Sequence, residues 1–132
     1  MATASPAQAA APACHGGSCT GKSPKATGCD RDALTMWEFS NGLTRVELRY
    51  SFSCDAVWAR WTVLKSHTYS DEVHIRRYKR DNRGFHETKD YRTFTKIKKG
   101  KQGWTEMIGM PRSGAYFKAC DLRTCTPYWP VP

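Results

Sequence analysis

A small, mainly antiparallel β domain, stapled by disulfides and shaped as a sandwich or barrel, follows from three features of this 132-residue chain. Short segments alternate apolar and polar residues between turn residues. No segment carries a persuasive helical period. Six cysteines sit in a chain too short to bury a large core, where cross-links add the missing stability. Hydrophobic residues make up 39%, with five Trp, six Tyr and five Phe, so the core is expected to be built around rings. The organisation expected is an arm over residues 1–13 followed by a single domain over 14–132, opening on a Cys- and Gly-rich loop.

The arm, ATASPAQAAAPA after Met1, is small, uncharged and broken by proline, without amphipathic period. Ala7-Gln8-Ala9 fits the small-x-small pattern of a signal-peptidase site, although no basic region and no apolar stretch precede it. The reading is a flexible arm or signal-peptide remnant on an exported protein, with a disordered tail on a cytosolic protein as the alternative. No stretch approaches the length of a transmembrane helix.

The loop that follows holds Cys14, Cys19 and Cys29, with Cys54, Cys120 and Cys125 further on. Six cysteines allow 15 pairings. Spacing suggests Cys14–Cys19 and Cys120–Cys125 as short clips and Cys29–Cys54 as the longer staple. Zinc held by Cys14, His15, Cys19, Cys29 and Cys54 is the competing reading, weakened by the lack of a CxxC knuckle, so no metal or other cofactor is expected. Gly16-Gly17-Ser18-Cys19-Thr20-Gly21-Lys22-Ser23 satisfies the letters of a phosphate-binding P-loop. The residues before it cannot form a central strand and Pro24 follows at once, so the match is read as a coincidence.

Strands are expected from there on. Ala33–Phe39 and Leu43–Ser51 flank Ser40-Asn41-Gly42, and Asn-Gly is a strong hairpin signal. In the second strand Val46, Leu48 and Tyr50 share one face, and Arg45, Glu47 and Arg49 the other. Ala56–Leu64 likewise sets Val57, Ala59, Trp61 and Val63 against Trp58, Arg60 and Thr62. Weaker candidates are Val73–Tyr78, Tyr91–Ile97, Trp104–Met110 and Ala115–Cys120.

Two stretches taken together resemble a known family. They are Cys14-x4-Cys19-x-Gly21-Lys22-x-Pro24-x3-Gly28-Cys29-x2-Asp32-Ala33 and Val46-Glu47-Leu48-Arg49-Tyr50-Ser51-x2-Cys54-x3-Trp58-Ala59-Arg60. The pattern is similar to that of the YjfA-like small exported proteins (domain of unknown function 2690) of actinobacteria and some bacilli. It covers roughly Cys14 to Trp61 and departs from the family at Ser23, usually Asp, and Phe52, usually Pro. The resemblance implies export and supports Cys29 and Cys54 as motif cysteines. It implies no established activity.

Three groups of residues are candidates for function. Glu47, Arg49, Arg60 and Trp58 could meet across neighbouring strands as an ion-pair and cation–π cluster, read as structural. An acid–base site would need a histidine nearby, and His15, His67, His74 and His86 lie in no recognisable catalytic motif. The third group is the charge. Eleven Lys or Arg against three acids between Arg76 and Lys101 hold eight of the nine net positive charges. If the two ends of that stretch are neighbours, Arg76, Arg77, Lys79, Arg80, Arg83, Lys96, Lys98, Lys99 and Lys101 form one positive patch. The Pro-rich tail Thr126–Pro132 is expected to be extended and to pack back over the sheet, with presentation of Tyr128 and Trp129 to a partner as the alternative.

No constellation specifies a reaction, so catalytic residues are not assigned and a non-catalytic role is favoured. The expectation is a secreted binding or adaptor protein whose basic surface engages an anionic partner, either another secreted or surface protein or an anionic cell-envelope polymer. Nucleic acid is the less favoured partner. The alternatives are a small basic hydrolase or toxin of ribonuclease type and an envelope polymer-binding protein.

Overall fold

The computed structural model describes residues 12–111 and 114–132; the expected arm over 1–13 therefore lies almost wholly outside the described residues. Strands account for 48% of the described residues, and no α-helix occurs among them. Two 3-10 turns, Gly16–Cys19 and Cys29–Asp32, are followed by eight strands. These are β1 (Leu34–Ser40), β2 (Thr44–Ser51), β3 (Ala56–Val63), β4 (Glu72–Asp81), β5 (Gly84–Phe94), β6 (Gln102–Trp104), β7 (Ile108–Gly109) and β8 (Ala115–Cys120).

All pairings are antiparallel. One sheet, A, runs β1-β2-β3-β6, with β7 also on β3; the other, B, runs β5-β4-β8. They face each other as an open sandwich. Val46, Leu48, Val57, Ala59, Trp61 and Val63 from sheet A meet Val73, Ile75, Phe117 and Ala119 from sheet B. Each set occupies alternate positions, so the period of two that marks these strands in the sequence is the period that buries them.

The Asn-Gly turn is made as expected. Gly42 takes a left-handed φ of 88°, and Asn41 Oδ1 accepts from the amides of Leu43 and Thr44, both at 2.8 Å. Two weaker assignments need correcting. The strand placed at Tyr91–Ile97 begins at Gly84 and ends at Phe94, because Asp81 and Gly84 close a tight hairpin that pairs the charged run of β4 with that of β5. Trp104–Met110 is two strands. Between them Thr105 bonds Ala59 twice, donating its amide to the carbonyl at 2.9 Å and accepting the Ala59 amide on Oγ1 at 3.1 Å, which interrupts the regular ladder.

The cysteines pair as Cys14–Cys19, Cys29–Cys54 and Cys120–Cys125. Their sulfurs are therefore not available as thiolate ligands for zinc. The P-loop-like letters fall on a 3-10 turn and the irregular chain after it, and no helix opens there. The first two disulfides touch, with Cys14 Sγ 3.8 Å from Cys29 Sγ. Together with Ala56, Trp58 and Met107 they form a second small core on the outer side of sheet A. The Cys/Gly loop is thus folded over one end of that face. After β8 the chain turns back at Asp121, and Thr126 to Trp129 run beside β8, with Phe117 and Trp129 exchanging backbone hydrogen bonds at 2.7 and 2.9 Å. Tyr128 stacks on Phe85 with centroids 4.0 Å apart, so the tail packs back over sheet B.

Candidate functional site: an arginine–tryptophan cleft

Because Val46 and Leu48 point into the sandwich, Arg45, Glu47 and Arg49 must point out of it. The β2–β3 register sets Glu47 opposite Arg60 and Arg49 opposite Trp58, and the β3–β6 register sets Arg60 opposite Trp104. The four residues expected to cluster are therefore neighbours on one face. Glu47 is 4% exposed. Its carboxylate accepts from Arg60 Nε at 3.1 Å and Arg60 Nη2 at 3.0 Å, and from the Thr35 hydroxyl. Arg45 and Arg49 stand 3.6 and 3.9 Å away. Burial alone would push the Glu47 carboxyl up, but the Thr35 hydrogen bond and the Arg60 charge together hold it below the ordinary value of 4.5.

Positive charge is in excess here. Arg49 donates to Thr35 Oγ1 at 2.7 Å and to the Ala33 carbonyl at 3.2 Å, while its buried Nε finds no partner among the described residues. Burial, and then the charge of Arg60, hold its guanidinium below the usual arginine value, offset only in part by Glu47 and Asp30. Beside this cluster lies a cavity of about 190 Å³ lined by Pro24, Lys25, Asp30, Arg49, Trp58, Arg60, Gln102 and Trp104. The Lys25 ammonium sits 5.5 Å from the Trp104 ring centroid. Three cations and two indoles thus face one acid across a small recess, with Glu47 at its back.

Arranged so, the residues can bind an anionic group and lay a flat or apolar surface on Trp104, the partly exposed one of the two tryptophans; Trp58 is buried. They do not compose an acid–base pair. Glu47 faces out of sheet A, whereas His74 lies between the core residues Val73 and Ile75 and so faces out of sheet B. His74 Nδ1 is instead 2.9 Å from Asp90. His15 contacts the Ser53 carbonyl, His86 contacts Asp81, and His67 neighbours Thr44, none of them at the cleft.

The nine residues expected to form one basic patch are not brought together. Arg77, Lys79, Arg80 and Arg83 lie toward the β4–β5 hairpin tip, while Lys96, Lys98, Lys99 and Lys101 lie past the end of β5 at the other end. The hairpin between them is ten residues long on β4, roughly 30 Å at the usual strand rise. Arg76 is occupied by Glu87 at 3.2 Å and Asp90 at 3.7 Å. Lys25, Asp30, Gln102 and Trp104 are site residues that the sequence did not single out. Trp104 has a signal in its aromatic character, but only the β3–β6 pairing shows that it stands beside Arg60.

No curated protein and no solved structure matches the chain. The profile of the family described as protein of unknown function (DUF2690) matches residues 17–109, which include β1 to β7, Cys19, Cys29 and Cys54, and every residue lining the cleft. The chain belongs to the DUF2690 family.

Proposed function

We propose that this is a secreted, non-catalytic binding protein that takes an anionic group of its partner into the arginine–tryptophan cleft. One observation carries the reading: Lys25, Arg49 and Arg60 converge on a recess with aromatic walls, and the only acid lining it is Asp30. Arg60 is paired with Glu47, but Arg49 and Lys25 are compensated only in part, so a charge-assisted bond is gained when an anion enters, and the excess charge steers its approach. The recess has room for one carboxylate- or phosphate-bearing unit, with the apolar face of a sugar or a flat ring against Trp104. Three disulfides suit an oxidising compartment and so support a partner outside the cell, an anionic envelope polymer or an acidic protein segment.

The test is capture from culture supernatant and envelope extract on immobilised oxidised protein, washed in graded salt, with Arg49→Gln and Lys25→Gln variants alongside. Retention of an acidic polymer or of one discrete protein, lost in both variants while their melting temperatures hold, supports the cleft. Retention unchanged in the variants removes the cleft from the reading. Turnover of RNA by the wild type, lost in Glu47→Gln or His74→Ala, would replace it with a hydrolase.

A further inference from the structure

One end of the sandwich is unlike the rest of the surface. It is formed by the chain before β4, the loop between β5 and β6, and the turn after β8. These three stretches are tied together. The His67 amide donates to the Ile97 carbonyl at 2.9 Å, Thr95 and Asp71 exchange hydrogen bonds at 2.9 Å, and Asp71 and Leu122 line one recess. From this end Tyr69, Phe94, Ile97 and Leu122 project into solvent, 52%, 56%, 42% and 64% exposed. They make up four of the eight large hydrophobic residues found exposed among the described residues.

Cations surround them: Lys65, Lys96, Lys98, Lys99, Lys101 and Arg123 are all exposed. The acids of this end are withdrawn. Asp71 and Asp121 are buried, and Glu72 is bonded to Arg92 at 3.1 Å. The Lys98–Lys101 turn is held by hydrogen bonds from Lys99 to Ser66 and from Gly100 to Val63. Its lysines and Ile97 are thereby presented on a fixed support.

We propose that this end docks on an anionic lipid bilayer, with the four apolar tips entering the headgroup boundary and the lysines contacting lipid phosphates. Separate apolar side chains on loop tips, ringed by long cationic ones, match the chemistry of a bilayer interface, where an apolar layer lies beneath a negatively charged one. A protein partner would need a complementary apolar pocket or a flat apolar patch; of the two recesses here, the one bounded by Lys96, Ile97, Lys98 and Lys101 is open, and the one beside Tyr69 and Leu122 is lined by Asp71 and Asp121. Docking by this end leaves the arginine–tryptophan cleft, on the outer face of sheet A, free for its own ligand.

The experiment is co-sedimentation of the oxidised protein with vesicles of phosphatidylglycerol and phosphatidylcholine in equal parts, and with phosphatidylcholine alone. Binding to the first and not the second is expected. Each lysine of Lys96, Lys98, Lys99 and Lys101 changed to Gln should lower the partition about fivefold. Ile97→Ser and Leu122→Ser, both solvent-exposed and so compatible with folding, should each lower it several-fold and abolish the part that survives high salt. Reversing the hairpin tip with Arg80→Glu and Arg83→Glu should leave partition unchanged. Equal binding to both vesicle types, equal loss on reversing the tip, or no effect of the two serine variants would each overturn the proposal. Because none of these variants touches the cleft, failure here is separable from failure of anion capture by Arg49 and Lys25.

Discussion

Glu47→Ala removes the carboxylate around which the outer face of sheet A is ordered, and the structure sets the size of the loss. Two hydrogen bonds from Arg60 and one from Thr35 disappear together. A hydrogen bond to a charged group contributes roughly 1.5–3 kcal/mol. The Arg60 side chain is 28% exposed, so solvent screening places its bonds at the lower end of that range. The expected loss is about 4–5 kcal/mol, at the upper end of the range of about 3–5 kcal/mol for breaking a buried pair. That is a large part of the roughly 5–15 kcal/mol that holds a small domain together. Arg60→Met should cost less, about 3 kcal/mol for its two bonds, because Glu47 keeps Thr35, Arg45 and Arg49. The double variant should be less destabilised than the sum, since removing Arg60 relieves repulsion among the remaining arginines. Urea unfolding of the four proteins measures this cycle, with unchanged m-values as the condition for comparing midpoints. A Glu47→Ala loss below about 1 kcal/mol, or an Arg60→Met loss exceeding it, would refute the account of Glu47 as the hub.

Three further outcomes follow from the same geometry. Because the folded-state Glu47 carboxyl lies below its ordinary value of 4.5, its contribution is fully present above that value and is lost as pH falls through the folded one. Melting temperature should therefore drop on acidification below 4.5, and Glu47→Gln should flatten that slope. Replacing Cys29 and Cys54 by Ser, which opens a loop with a sequence separation of 25, should cost about 3.5 kcal/mol in the chain-entropy picture, against about 2 kcal/mol for either five-residue clip; denaturant midpoints rank the three. Gly109→Ala places a Cβ 1.8 Å from the Gly16 carbonyl oxygen, a backbone contact that cannot be relieved by a rotamer change. A loss of several kcal/mol or failure to fold is expected, read by near-ultraviolet circular dichroism.

The strong strands were legible in the sequence because their period coincides with their burial. Val46 and Leu48 alternate with Arg45, Glu47 and Arg49, and Trp61 and Val63 with Arg60 and Thr62, which defines the inner face of sheet A; only at Ala56 and Trp58, covered by the disulfide loop, is the outer face apolar as well. The Asn-Gly turn was legible because it answers to a local backbone requirement. The disulfide pairing agreed with spacing, yet spacing alone left the other pairings open. The hairpin of β4 and β5 was hidden because its strands carry charge on both faces past the end of the core, so no hydrophobic alternation marks them. The split between β6 and β7 was hidden because it depends on one threonine bonding a strand forty-six positions away in the chain.

What composition and motif determined was the kind of protein: an antiparallel β domain with basic excess and a Cys/Gly loop. It also determined that Glu47, Arg49, Trp58 and Arg60 could meet, since strands joined by a short connection almost always pair. Tertiary structure alone decided the rest. Whether the two halves of the basic stretch were neighbours depended on the direction of one hairpin, which carries them to opposite ends. Whether the Glu47 cluster became a recess depended on Lys25 arriving with the disulfide loop and Trp104 arriving through β6. Those contacts join residues far apart in sequence, and the energy that selects them is the burial of a common core, which no local pattern encodes.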